Sequence, residues 1–421
     1  MIELSQQPER AVLVGLNTGD PDTDALMDEL AELAETAGAQ VVATVVQNLP
    51  VPDNATCIGS GKLAEITDFC KNNEIDLLIF DSELTPTQQR NIEKAAGVRT
   101  IDRTLLILDI FAQRARTGEG RIQVDLARYR YMLPRLTGQG QGLSRQGGIG
   151  MRRGAGESKL ETDKRHIRRR IYALKEQLKE LETRRAGQRE RRRKNGMATV
   201  AIVGYTNAGK STLMNALTDA GVLVEDMLFA TLDPTARALK LPDGRTVMLV
   251  DTVGLIRKLP HHLVEAFHST LEEAARADVI LNVCDLSSPE ADEHLRVTRA
   301  LLEELGCGET PVLAVFNKCD RLADPAALPR DGLCISALNG AGLDRLLAAV
   351  AQALPPTRRR VRLLLPFAQG GLAAYIRKNG TVHAEEYRPE GLWLDCTVDG
   401  YDWDKWKDYV IESNSAGESI T

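Results

Sequence analysis

One short segment narrows the possible folds more than any other. The apolar run Thr199 to Val203 has the composition of a buried strand. It is followed at once by Gly204, Tyr205, Thr206, Asn207, Ala208, Gly209, Lys210 and Ser211, and then by a helical pattern beginning Thr212, Leu213, Met214. Strand, GxxxxGKS and helix in that order form a phosphate-binding loop. Its glycines let backbone N–H groups turn inward around an anion at a helix N-terminus, where the dipole favours negative charge. Lys210 then reaches the β- and γ-phosphate oxygens, and the Ser211 hydroxyl is a ligand for Mg²⁺.

Three further elements follow in a fixed order. The run Thr246 to Val250 reads as a buried strand ending in Asp251, Thr252, Val253, Gly254. An aspartate at that strand end can hold Mg²⁺, usually through water, while the Gly254 N–H faces the γ-phosphate. Another strand, Val312 to Phe316, ends in Asn317, Lys318, Cys319, Asp320, the NKxD pattern. Asp320 accepts from guanine N1–H and the exocyclic amine, a pair that adenine lacks, and buried readout of that kind discriminates by about 10⁴-fold. Ser336, Ala337, Leu338 follow a last short strand and place a backbone N–H near guanine O6. The chemistry implied is guanine-nucleotide binding with hydrolysis of GTP to GDP and phosphate.

Phe229, Ala230, Thr231, Leu232, Asp233, Pro234, Thr235 lies where a switch I threonine is needed for the metal and the γ-phosphate. Both Thr231 and Thr235 qualify; Thr231 is favoured for the metal role. The position after Gly254, where many small GTPases carry a water-orienting glutamine, is Leu255, which cannot hydrogen-bond water. Slow intrinsic hydrolysis is expected, with the deficit met by a partner or by a monovalent cation. Asn207 matches the loop asparagine of potassium-stimulated GTPases, so K⁺ is a candidate cofactor beside Mg²⁺, although asparagine also suits a tight loop for backbone reasons. Lys210, Thr231, Gly254 and Asn207 form the expected catalytic set, with Ser211 and Thr231 as metal ligands.

The rest of the chain divides around this unit, as expected for an α/β multidomain protein. Residues 1–118 alternate strands (Ala11 to Leu16, Val41 to Val46, Asp76 to Phe80, Val98 to Ile101) with helices starting near Thr23, Gly61 and Pro86, the pattern of βαβ units around a parallel sheet. A helix over Leu105 to Ala115 is expected to lead out of that domain. Residues 119–196 read as an antiparallel helical hairpin. Ile122, Leu126, Tyr129 and Leu133 recur at helical spacing, as do Leu160, Ile167, Ile171, Leu174, Leu178 and Leu181. Between them Gly138 to Gly156 holds eight glycines in 19 residues, read as a long flexible tip. A P-loop domain over 197–356 follows, and a small α+β domain over 357–421 contains all three tryptophans.

The net charge of −6 conceals a partition. From Arg152 to Lys194 there are 17 Lys+Arg against 7 Asp+Glu, an excess of +10, so the remaining residues carry −16. Arg152, Arg153, Lys159, Lys164, Arg165 and Arg168 to Arg170 at one end, and Arg189 to Lys194 at the other, have few acids nearby. Charge of that density points to phosphate neutralisation. With few aromatics in the hairpin, structured RNA held by shape and backbone is the expected partner. An anionic membrane is the competing one, touched peripherally, since no apolar run reaches the ~18 residues of a span. The sequence begins without a basic and apolar leader, so a cytoplasmic protein is expected; a monomer is expected as well. Seven scattered cysteines without a CxxC pair suit reduced thiols. Cys57 to Lys62 looks superficially like a second nucleotide loop but lacks the GxxxxGK spacing, and reads as a helix start. His261, His262 and His268 lack acidic or cysteine partners at ligand spacing and read as surface residues.

The combination resembles the HflX family of ribosome-associated GTPases. The residues that carry the resemblance are the basic helices around Gly138 to Gly142 and Arg145 to Gly150, then GYTNAGKS, FATLDPT over Phe229 to Thr235, DTVG and NKCD. It implies a bacterial protein that binds the large ribosomal subunit, its hairpin directed at ribosomal RNA near the peptidyl-transferase region, and that splits or rescues stalled ribosomes under stress such as heat. It also raises the alternative of an ATP-dependent RNA helicase or remodeller working through the N-terminal region.

Overall fold

The computed structural model describes residues 8–19, 22–136, 153–194, 197–218, 228–229, 235–257, 275–308, 310–322, 332–354, 358–399 and 403–413. The N-terminal unit runs β1 (Arg10–Asn17), α1 (Thr23–Thr36), β2 (Gln40–Asn48), α2 (Ser60–Asn72), β3 (Leu77–Phe80), α3 (Pro86–Ala96), β4 (Arg99–Asp102) and α4 (Arg103–Arg114). Its sheet has the order β2-β1-β3-β4 and is parallel throughout. Helices cover both faces, which is why Ala11 to Val14 and Leu77 to Phe80 are apolar without alternation and fully buried. The turn into α3 is fixed by a capping box in which Thr85 and Gln88 satisfy each other's backbone N–H.

The expectation for the helix after β4 is corrected. It does not lead away from the domain but lies in its core, with Leu106, Ile107, Leu108, Ile110 and Phe111 all buried. An N-cap from Asp102 to Leu105 N–H starts it earlier than expected, at Arg103.

Two helices form the hairpin, α5 (Gly118–Arg135) and α6 (Arg153–Lys194). Val124, Ala127 and Tyr131 of α5 join the N-terminal core, so the hairpin grows out of that domain. Its antiparallel sense is fixed at the base, where Arg185 of α6 pairs with Glu119 at the start of α5, 2.8 Å away. Leu174 is buried in the seam, and Ile167, Ile171, Leu178 and Leu181 are half-buried. The tip is shorter than expected, because residues 153–156 already belong to α6 despite Gly154 and Gly156. The remainder of the tip lies outside the described residues. At 42 residues, α6 extends about 63 Å.

The third unit contains β5 (Thr199–Gly204), α7 (Lys210–Thr218), β6 (Thr235–Lys240), β7 (Thr246–Asp251), β8 (Val279–Asp285), α8 (Ala291–Glu304), β9 (Val312–Asn317), β10 (Leu333–Cys334) and α9 (Leu343–Ala353). Its sheet order is β10-β9-β8-β5-β7-β6, parallel except for the edge strand β6. The phosphate-binding strand β5 is thus central, and the carboxyl ends of β5, β7 and β9 open on one edge, where ligands of such sheets bind. The last unit pairs β11 (Arg358–Leu365), β12 (Thr381–Arg388), β13 (Gly391–Asp399) and β14 (Val410–Ser413) in the antiparallel order β12-β13-β11-β14, with α10 (Gly370–Asn379) on one face over Leu363, Leu394 and Cys396. Among the described residues no helix is long and apolar enough to cross a membrane.

Candidate nucleotide site

The loop between β5 and α7 is shaped by contacts that only glycine permits. Gly204 has φ +151°, and a Cβ there would stand 2.1 Å from the Val283 carbonyl oxygen of β8. Gly209 has φ +87°, and its Cβ would stand 2.3 Å from Asn317 Nδ2. Asn207 takes a left-handed backbone, φ 59°, at an exposed position. That conformation is one asparagine tolerates. Ala208 is buried beside Asn317, whose Nδ2 donates to the Ala208 carbonyl at 2.9 Å and whose Oδ1 accepts from Ala337 N–H at 3.0 Å. One side chain therefore ties the phosphate loop, the NKxD turn and the Ser336–Leu338 turn together.

Lys210 is buried, and its Nζ donates to the Tyr205 carbonyl at 2.8 Å. Burial pushes its ammonium down to about 8, with the Asp251 carboxylate acting in the other direction. Phosphate oxygens need the charged form, which is lost as pH rises through that value. Guanine-nucleotide affinity should therefore fall about tenfold between about pH 7 and about pH 9. Titrations with a fluorescent GDP across that range check it; a flat profile would show that the loop leaves the lysine at its ordinary value.

Ser211 Oγ donates to Asp251 Oδ2 at 2.9 Å, with Asp251 fully buried. A hydroxyl and a carboxylate meeting at the start of α7 make an oxygen donor set of the kind a hard divalent cation takes. Thr252 turns inward, its hydroxyl donating to the Ile202 carbonyl at 2.7 Å, and Val253 packs into the hydrophobic core. Gly254 passes closely over the loop: a Cβ would lie 2.7 Å from Thr206 Cγ2 and 3.1 Å from Lys210 Nζ. Leu255 is buried, and its backbone pairs with the loop. Its N–H donates to the Gly204 carbonyl at 3.1 Å, and its carbonyl accepts from Thr206 N–H at 2.8 Å.

On the base side, Lys318 adopts φ 61° and pairs with Asp285 at 2.7 Å, and Cys319 N–H donates to the Ile335 carbonyl. Asp320 is exposed, as is Leu338. Ser336 is fully buried and closes its own turn, donating N–H to the Ala341 carbonyl.

Only the ends of switch I lie among the described residues. The Phe229 side chain is buried against Phe111 of α4, ring centroids 4.7 Å apart and nearly perpendicular. Ala230, Thr231, Leu232, Asp233 and Pro234 lie outside the described residues, as do His261, His262 and His268. Thr235 is the first residue of β6, opposite Asp251 in the ladder.

Sequence reasoning missed a second set of residues. Glu29, Asp81 and Arg103 of the N-terminal unit meet Tyr205 and Arg257 of the P-loop unit. Leu228, Phe229, Val253 and Ile256 belong to the same apolar cluster as Phe111. The sequence offered only the apolar character of Leu228 and Ile256 as a signal. At the start of α2, Gly59 N–H donates to Gln47 Oε1 at 2.9 Å and Lys62 pairs with Glu65, so the Cys57–Lys62 segment is occupied as a helix start.

Comparison with known proteins follows these divisions. Residues 24–112 match the family described as GTP-binding GTPase N-terminal, 114–192 the GTP-binding GTPase middle region, and 199–318 the 50S ribosome-binding GTPase family. A GTPase HflX of Caldanaerobacter subterraneus subsp. tengcongensis is 51% identical over 399 residues, 94% of this chain and 93% of that protein. One from Lacrimispora saccharolytica is 46% identical over 404 residues, 94% and 95% of the two chains. One from Escherichia coli K12 is 40% identical over 405 residues, again 94% and 95%.

Proposed function

The chain belongs to the HflX family of ribosome-associated GTPases and hydrolyses GTP, and from that premise we propose that it is a nucleotide-switched factor binding the large ribosomal subunit and splitting or rescuing stalled ribosomes. The observation that carries this reading is α6. Its Arg165, Arg168, Arg169 and Arg170 are exposed on a helix anchored at its base to the N-terminal core, so a basic rod projects from the domain that touches the switches. A rod of that kind suits ribosomal RNA held through its phosphates. The protein acts as a monomer in the cytoplasm.

In this reading the loop from Gly204 to Ser211 cradles the phosphates, with Lys210 on their β/γ oxygens. Ser211 and, through water, Asp251 would hold Mg²⁺, with Thr231 completing the set; when bound, the ion neutralises charge on the phosphate oxygens. Gly254 N–H meets the γ-phosphate. Asp320 reads the guanine edge, backed by Asn317, Lys318 and Cys319, and the Ser336–Leu338 turn offers its N–H to O6. Asn207 would serve K⁺. With Leu255 where a glutamine would orient water, turnover is slow until the ribosomal subunit completes the site. Glutamines at Arg191, Arg192 and Arg193 should weaken subunit binding and flatten its salt dependence by up to about three counterions. An unaltered salt slope in sedimentation assays would remove these residues from the RNA interface.

A further inference from the structure

Tyr205 is the second residue of the phosphate loop, yet its side chain leaves the nucleotide site. The ring is buried and stacks on His294 of α8, centroids 3.8 Å apart and planes 11° from parallel. Its hydroxyl donates to the carboxylate of Glu29 on α1, and it accepts the Arg257 backbone N–H at 2.7 Å. Arg103, at the start of α4, donates one guanidinium nitrogen to Asp81 at 2.8 Å. The other reaches both Glu29 and the Arg257 carbonyl, the latter at 3.2 Å. Both backbone groups of Arg257 are thus held by groups that belong to, or are gripped by, the N-terminal unit. The Arg257 side chain extends the link, pairing with Glu290 at 3.1 Å and reaching toward Asp22 at 3.8 Å.

The placement of these contacts distinguishes them from ordinary domain adhesion. Arg257 lies three residues beyond Gly254. The intervening Leu255 is zipped to Gly204 and Thr206, on either side of Tyr205. Gly254 cannot move relative to Lys210 without carrying the Leu255–Arg257 backbone, and that backbone cannot move without parting from the Tyr205 hydroxyl and Arg103. Ile256 adds apolar area to the same seam, packed with Phe111, Leu228 and Phe229. The polar groups are nearly dry, Arg103 being 3% exposed and Tyr205 5%. Parting the seam would take the Tyr205 hydroxyl from Glu29 and the Arg257 carbonyl from Arg103, two buried hydrogen bonds to charged groups.

We propose that Tyr205 is a positioning residue that couples the nucleotide to the N-terminal domain, its hydroxyl joining Glu29 and Arg103 to the switch II backbone. A γ-phosphate that draws in Gly254 N–H changes the strain on the Glu29–Tyr205–Arg257 link. By reciprocity, anything that shifts α1 and α4 changes the preference of the site for GTP over GDP.

The test uses the full-length chain and two substitutions that preserve shape. Tyr205→Phe keeps the ring on His294 and removes only the hydroxyl, and Glu29→Gln removes the charge it meets. The readout is the ratio of affinities for a non-hydrolysable GTP analogue and for GDP. Each variant should shift that ratio by about fivefold or more, and the double variant no further than either alone, because both break one link. Amide exchange at the starts of α1 and α4 should differ between the two nucleotides in the parent protein and lose that difference in Tyr205→Phe. A purely structural role would weaken both nucleotides alike and leave the ratio unmoved. An unmoved ratio, or single effects that add in full, overturns the proposal; Glu29→Gln decides the matter alone if Tyr205→Phe does not fold.

Discussion

Replacing Asp320 with asparagine is expected to weaken GDP and GTP binding by about 10²–10⁴-fold and to make xanthine nucleotides the better ligands. The carboxylate is acceptor-only, matched to two donors on the guanine edge, N1–H and the exocyclic amine. An amide puts a donor where one of those donors must sit, whereas xanthine carries a carbonyl at that position and accepts from it. The turn that presents residue 320 is built independently of its side chain, by the Lys318–Asp285 pair and the Cys319 N–H bond to Ile335. The fold should therefore survive, and the effect should be confined to the base. Competition of GDP and XDP against a fluorescent nucleotide checks it, and unchanged guanine preference would place base recognition elsewhere.

Gly204→Ala is expected to cost about 3 kcal/mol or more, lowering the unfolding midpoint of the P-loop unit by about 6–12 °C. The reason is a packing constraint in the middle of the sheet. Gly204 lies opposite Val283 in the β5–β8 ladder, and the added methyl would overlap the Val283 carbonyl oxygen at 2.1 Å while the backbone is held at φ +151°. Neither β5 nor β8 is an edge strand, so neither can move aside without disturbing its other neighbour. Gly308→Ala is a matched control in the same unit: its Cβ meets nothing within 4 Å, and its φ is not left-handed. Thermal unfolding of the two variants should separate them clearly, and equal midpoints would refute this account of the loop.

What could be read from the sequence was local. GYTNAGKS, DTVG and NKCD each carry their chemistry within a few residues, and the structure brings Lys210, Ser211, Asp251, Gly254 and Asn317 to one edge of one sheet. The parallel N-terminal sheet was equally plain, because helix and strand periods alternate there. The coupling between units was not. Glu29 and Tyr205 are 176 residues apart, and Arg103 and the Arg257 carbonyl 154, with no short-range signal joining them. The packing of the Phe229 ring on Phe111 is likewise not legible in the sequence, because the two residues are far apart along the chain. A signal for α4 is present in the sequence: six of the seven residues from Leu105 to Phe111 are apolar, a density that belongs in a core rather than at an exit. The start of α6 was hidden by Gly154 and Gly156, whose low helix propensity is overridden in a helix of 42 residues.

The elements are joined: a basic hairpin rooted in the N-terminal core, that core packed against Leu228, Phe229, Val253 and Ile256, and a P-loop unit whose Arg257 backbone is hydrogen-bonded to it. On the proposed function, nucleotide state governs engagement of the large ribosomal subunit. The most direct measurement is sedimentation of the full-length protein with 50S subunits at physiological salt, once with GDP and once with a non-hydrolysable GTP analogue. The protein should pellet with the subunit in the analogue and stay in the supernatant with GDP. Equal partition in the two nucleotides, or no pelleting in either, would contradict it.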